Sequence, residues 1–214
     1  MKKSILLLSI WIIISFSSGP ALASEDNYRF NKPPYIHPAI IKDLSTWLSD
    51  TGDQVVAINL TDSQDSNRYF GDIQVREITG ESPYIYFTKD RDSFGYQYVG
   101  QTKDGAHILY TSDSGGGSGV FKNLMFVMIE ADRGIVFNEE EGVIASTKGR
   151  VIIKKLGAVV LGDRWAGELT IKGNELVIGK DEGWFAINYC GAYCGGEFSK
   201  DQKERIIRIN TSED

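Results

Sequence analysis

The longest apolar stretch beyond the N-terminal leader is Val120 to Ile129, broken only by Lys122-Asn123, and it is apolar on both parities. Phe121, Met125, Val127 and Ile129 fall on one side of an extended chain; Val120, Leu124, Phe126 and Met128 fall on the other. A strand with both faces apolar is buried on both faces, whereas a half-exposed strand alternates. The aromatic and β-branched content favours a strand over a helix of the same length. The glycine-rich stretch Gly115-Gly116-Gly117-Ser118-Gly119 runs directly into it and predicts a structural turn feeding a central strand.

Upstream, Ile40, Ile41, Leu44, Trp47 and Leu48 recur at helical spacing. They predict a helix over Pro38–Asp50 that lays one apolar stripe on a sheet. Pro38 suits its first turn and Gly52 its C-terminal end. From Gln54 onward the pattern changes to short β runs separated by turn residues. The predicted strands are Val55–Leu60, Tyr69–Ile78, Tyr84–Thr88, Gly95–Gln101, His107–Thr111, Val120–Glu130, Val151–Leu161, Ala166–Lys172, Glu175–Gly179, Trp184–Tyr189 and Glu204–Ile209. Glu168–Lys172 and Glu175–Gly179 flank the two-residue turn Gly173-Asn174. Pairing outward from that turn sets Lys172 against Glu175, Ile171 against Leu176 and Leu169 against Ile178. One face then collects Leu169, Ile171, Leu176 and Ile178, and a slip by one residue would bury the charges instead. The expected fold is mostly β: an antiparallel sandwich, open barrel or meander, with one N-terminal helix packed on the sheet.

The first residues change the compartment. Lys2 and Lys3 precede an apolar stretch from Ile5 to Phe16, which closes on Ala21-Leu22-Ala23. This is the layout of a cleavable bacterial signal peptide over residues 1–23, leaving 24–214 as one β-rich domain. The stretch is shorter than the roughly twenty residues that span a bilayer, so no stable membrane anchor is expected after cleavage. The expected location is the periplasm or the medium. The chain carries 23 basic and 29 acidic residues, a net charge of −6, and no basic patch. Nucleic acid is therefore a poor partner.

In an oxidising compartment Cys190 and Cys194 are expected to form a disulfide. Two thiols at i and i+4 of an extended strand stand too far apart. The intervening Gly191-Ala192-Tyr193 supplies a tight turn that closes the gap and presents Tyr193 as a candidate contact residue.

Candidate chemistry is sparse. Asp113-Ser114-Gly115-Gly116 is similar to the nucleophile loop of chymotrypsin-like serine proteases, but only His37 and His107 could serve as a base. The glycine run could also form an anion nest, although phosphate loops lead into helices rather than strands. Asp90-Arg91-Asp92 begins like a calcium loop but reaches Gln101 where that loop needs a glutamate, so a charged hairpin turn is expected. No zinc pattern occurs, and neither a metal nor another cofactor is expected. Glu139-Glu140-Glu141 reads as a solvated loop. Tyr84, Tyr86, Phe94, Tyr96 and Tyr98 could form either one exposed aromatic face or a half-buried sheet face.

Gly116-Gly117-Ser118-Gly119-Val120-Phe121, then Leu161-Gly162-Asp163-Arg164, then the Leu169–Ile178 hairpin resemble a group of small secreted bacterial proteins and lipoproteins. That group carries a Gly-Gly-Ser-Gly-x-Phe turn into a hydrophobic strand and a Leu-Gly-Asp-Arg turn before a hairpin. The resemblance covers about residues 110–180 and implies an extracytoplasmic β-domain, with no activity attached. Lys122-Asn123 stands where the group has an aromatic pair, and the lipid-bearing cysteine is absent. Asp163 and Arg164 are candidate binding residues. The expected geometry has the Asp163 carboxylate on local backbone amides and the Arg164 guanidinium on a neighbouring carboxylate; the alternative sends Arg164 into a cleft.

These features point to a non-enzymatic binding protein, with an inhibitor or immunity-type partner of an envelope protein among its forms. The alternatives are a hydrolase using Ser114 or the Asp163-Arg164 turn, and a structural accessory of the envelope.

Overall fold

The computed structural model describes residues 27–45, 55–61, 63, 69, 71–181 and 204–211, except for the side chains of 136, 138 and 145–148. Within it, β2 (Gln74–Arg76), β3 (Tyr84–Lys89), β4 (Asp92–Gln101), β5 (His107–Gly115), β6 (Phe121–Asn138) and β7 (Val143–Asp163) follow one another as an antiparallel meander. A short β1 (Ala57–Asn59) closes the far edge beside β7, completing a seven-stranded sheet. A second sheet pairs β10 (Arg205–Arg208), β9 (Glu175–Ile178) and β8 (Leu169–Lys172). The β8–β9 hairpin has the register expected around Gly173-Asn174, with Ile171 opposite Leu176 and Leu169 opposite Ile178.

Both faces of the large sheet are covered, each by a different layer. Helix α1 (Pro38–Ser45) lies on one face, where Ile40, Ile41 and Leu44 pack with Tyr96, Leu109, Met125, Val127 and Ile153. The small sheet lies on the other, where Leu176 and Ile178 pack with Ile108, Leu124, Phe126 and Trp165. The two-sided pattern of β6 is thereby explained: Met125 and Val127 serve the helix face while Leu124 and Phe126 serve the small-sheet face. The helix starts on His37, whose Nδ1 accepts the Ala39 amide hydrogen at 3.1 Å. Pro38 takes the first helical position, where its missing N–H leaves nothing unpaired. Trp47, Leu48 and Gly52 lie outside the described residues.

β-bulges decide which side chains reach which layer. Val151 and Ile153 of β7 join the helix-side core, yet Val159, of the same parity, joins the small-sheet core. The switch falls where Phe126 and Val127 oppose Gly157 and Lys155, leaving Leu156 as an extra residue. One extra residue inverts the alternation of everything beyond it. A bulge at Val99 does the same in β4 between Tyr98 and Gly100.

Several boundaries differ from those read along the chain. β5 continues to Gly115, and the predicted Val120–Glu130 and Val151–Leu161 strands are the near halves of the much longer β6 and β7. The predicted strand Tyr69–Ile78 shortens to Gln74–Arg76, and the one starting at Ala166 starts at Leu169. Trp184–Tyr189 lies outside the described residues.

Candidate functional site

The two glycine-containing motifs meet. The glycine run is the loop between β5 and β6, and Asp163-Arg164 leaves the end of β7 beside it, with Asp163 paired to Phe121. Asp163 Oδ1 accepts the Val120 amide hydrogen at 2.7 Å, and the Arg164 amide donates to the Val120 carbonyl at 2.8 Å. Asp163 Oδ2 holds the Arg164 guanidinium at 2.6 Å, with Arg164 itself at φ 51°. The carboxylate thus accepts a backbone N–H as expected, but from across the sheet rather than from its own turn. β7 ends at Asp163, so the nearest donor left unpaired by a ladder belongs to the loop entering β6. Of the glycines, Gly116 needs its residue type. Its φ is +74°, and a Cβ there would stand 2.7 Å from the Arg91 side chain. Gly115 is the last residue of β5 rather than part of the turn, and Gly115 and Gly117 face open space. Gly119 lies against the Phe121 ring.

Ser114 sits on β5 opposite Ser93, on the small-sheet face. Neither histidine shares that face. His107 is on the helix face, between Tyr98, Phe30 and Gln101, and its burial pushes its pKa down to about 4. His37 caps α1 and packs on Phe87, where burial also lowers its pKa. Asp90-Arg91 is a two-residue hairpin turn between Lys89 and Asp92, with Asp90 at φ 57°. Among the described residues no group of three metal-ligating side chains converges. Cys190, Tyr193 and Cys194 lie outside the described residues.

The aromatic residues do not form one face. Phe94 and Tyr96 are buried under α1, with the Tyr96 hydroxyl donating to the Ile36 carbonyl at 2.6 Å, whereas Tyr84 and Tyr86 stack on the opposite face above Gly95. The cause is register: Tyr86 pairs with Gly95 and Ile85 with Tyr96, so the two tyrosine series alternate out of phase. Beside Tyr84 opens a cleft of about 810 Å³, lined among others by Glu81, Ser82, Gln97, Tyr110, Trp165 and Glu168. Its floor is fixed by hydrogen bonds. Gln97 donates to Glu81 at 2.7 Å and to the Ser82 carbonyl at 3.0 Å, and Tyr110 donates to the Trp165 carbonyl at 2.8 Å. Burial, with smaller contributions from Asp181 and Tyr84, pushes the Tyr110 hydroxyl up to about 12.

The feature that sequence reasoning missed is the far half of β6–β7. β5 pairs with β6 only as far as Val127, and β1 covers only Ile152 to Lys154 of β7. Beyond Ala131 and Val151, among the described residues, β6 and β7 pair only with each other, to Asn138 and Val143, as a projecting two-stranded ribbon. Asp132 and Arg150 clamp its base at 2.6 Å. Near the tip Phe137 pairs with Ile144, and they are 58% and 71% exposed; Ile135 on the same side is 72% exposed. The Glu139–Glu141 run is the turn at its end. The signal in the sequence was the alternation Ile135, Phe137 before that turn and the apolar Val143, Ile144 after it. Its hairpin character was masked by Gly134 and by the charges around it.

Comparison with protein-family models, with curated proteins and with solved structures finds no match to this chain.

Proposed function

We propose that this chain is a secreted or periplasmic, non-enzymatic binding protein that docks on another envelope or extracellular protein through the β6–β7 ribbon. The signal-type residues 1–23 support the compartment, and the same compartment favours a Cys190–Cys194 disulfide. The observation that carries the reading is the exposed pair Phe137 and Ile144, with Ile135 beside it. Burying a side chain of this size is worth about 1.5–3 kcal/mol, which the isolated ribbon forgoes and a partner would recover. Aromatic and aliphatic anchors on a protruding element are what a protein-binding pocket accepts. Glu139, Glu140 and Glu141 at the tip suit a slot rimmed by basic residues and oppose an anionic membrane or a nucleic acid.

The test is comparative capture from envelope extracts of the native organism. The mature wild-type protein is set against a Phe137→Ser, Ile144→Ser double variant whose melting temperature is unchanged. A protein retained by the wild type and lost from the variant is the expected result. The same set retained by both would overturn the reading.

A further inference from the structure

The small-sheet face continues beyond the residues that form the second core. Strand register brings Tyr86, Gly95, Ser112, Lys122 and Gly162 into one row across β3, β4, β5, β6 and β7. The neighbouring row reads Arg76, Tyr84, Gln97, Tyr110. Glycine stands at two places in the first row, with opposite results. A Cβ at Gly95 would stand 2.6 Å from the Tyr84 hydroxyl, so the ring reaches across β4 through the space that glycine leaves. A Cβ at Gly162 would meet nothing within 4 Å, so the flank of Lys122 is open.

Four strands send polar groups to the surface around Ser112. Lys122 Nζ donates to Ser112 Oγ at 2.9 Å and stands 5.2 Å from the centre of the Tyr110 ring. The Tyr84 hydroxyl interacts with the same serine side chain, and the Arg76 guanidinium lies 5.0 Å over the Tyr84 ring. Ser112 itself is buried. Among the described residues no carboxylate forms an ion pair with Lys122 or Arg76, although the chain as a whole is acidic. Asp113 acts on Tyr84 and Asp181 on Tyr110, the latter carboxylate accepting the Ala166 amide hydrogen. Burial first and the Arg76 charge second lower the Lys122 pKa, the mark of a cation short of counter-charge. A half-buried ammonium and a guanidinium that no described carboxylate ion-pairs, beside hydroxyl groups, are satisfied by an oxyanion. The adjoining cleft, with Glu81, Gln97 and Glu168 around the rings of Tyr110 and Trp165, suits a hydroxylated ring attached to that anion.

We propose that the polar cluster around Ser112 binds an oxyanion through Lys122 and Arg76, carried either by an acidic sugar extending into the cleft or by free phosphate. The probes are glucuronate, inorganic phosphate and, as the neutral control, glucose, each titrated calorimetrically into the mature protein at low salt. Saturable binding of glucuronate or phosphate with a Kd of about 1 mM or tighter is expected. A clear preference for glucuronate assigns the sugar acid, and binding of phosphate as tight or tighter assigns the free anion. Arg76→Gln, at an exposed position, should weaken binding by about tenfold, Lys122→Met should abolish it, and Lys122→Arg should retain it in part. Raised salt should weaken it. Absence of binding by both anions, equal binding of glucose, or unchanged affinity in Arg76→Gln would overturn the proposal, and the last needs no buried position to be altered.

Discussion

Asp163 reaches across from the end of β7 to accept the Val120 amide hydrogen at 2.7 Å, joining the two turns that stand 43 residues apart in the chain. The same carboxylate holds Arg164 through its second oxygen. Asp163→Ala removes both contacts and should cost about 1–3 kcal/mol in urea unfolding. Asp163→Asn keeps an acceptor for Val120 and should cost less. Equal losses in the two variants would place the energy in the ion pair alone.

Gly116 and Gly117 should respond differently to a methyl group. Gly116→Ala forces an L-residue to φ +74° and drives Cβ into Arg91, so it should lose about 1–2 kcal/mol or more. Gly117→Ala meets open space and should be close to neutral. Thermal unfolding of the two variants checks the difference.

Leu44 is buried between α1 and the sheet. Leu44→Ala should cost about 2–5 kcal/mol. A loss below about half a kcal/mol would reject helix-on-sheet packing at this position.

Tyr96→Phe tests the tie between sheet and helix. It deletes the hydroxyl on the Ile36 carbonyl and leaves a buried acceptor unpaired, at a cost of about 1–3 kcal/mol. The ring contact with Phe30 at 5.9 Å survives the change, so near-UV circular dichroism should be retained while the unfolding midpoint falls.

Acid should destabilise the fold through its histidines. Burial lowers the His107 pKa to about 4 from the 6.5 of an unfolded chain. Between those values the unfolded state binds the proton and the native state does not, so stability falls as pH drops from 6.5 towards 4. Below about 4 both states are protonated and this contribution stops growing. His37 acts in the same direction. His107→Gln should flatten the decline measured by denaturant titration across that window.

Local pattern determined much of this protein. Period-two alternation and the Gly173-Asn174 turn specify the β8–β9 register, because a shift by one residue would bury Lys172 and Glu175 and expose Leu176 and Ile178. The helical stripe at Ile40, Ile41 and Leu44 and the two-sided strand from Val120 are likewise set by which residues must leave water. The tertiary structure decided what depends on pairing between distant segments. Whether Tyr84 shares a face with Tyr96 follows from a register of β3 on β4 that neither strand encodes alone. The bulge at Leu156 reassigns Val159 to the opposite core through one extra residue that carries no compositional mark. The ribbon beyond Ala131 and Val151 is held by β6 and β7 against each other, and among the described residues no buried layer imposes alternation on its sequence. Lys122, Ser112, Tyr84 and Arg76 come together only because four strands pair in one particular alignment, and side chains from separate strands meet through hydrogen-bonded backbone rather than through proximity in the chain.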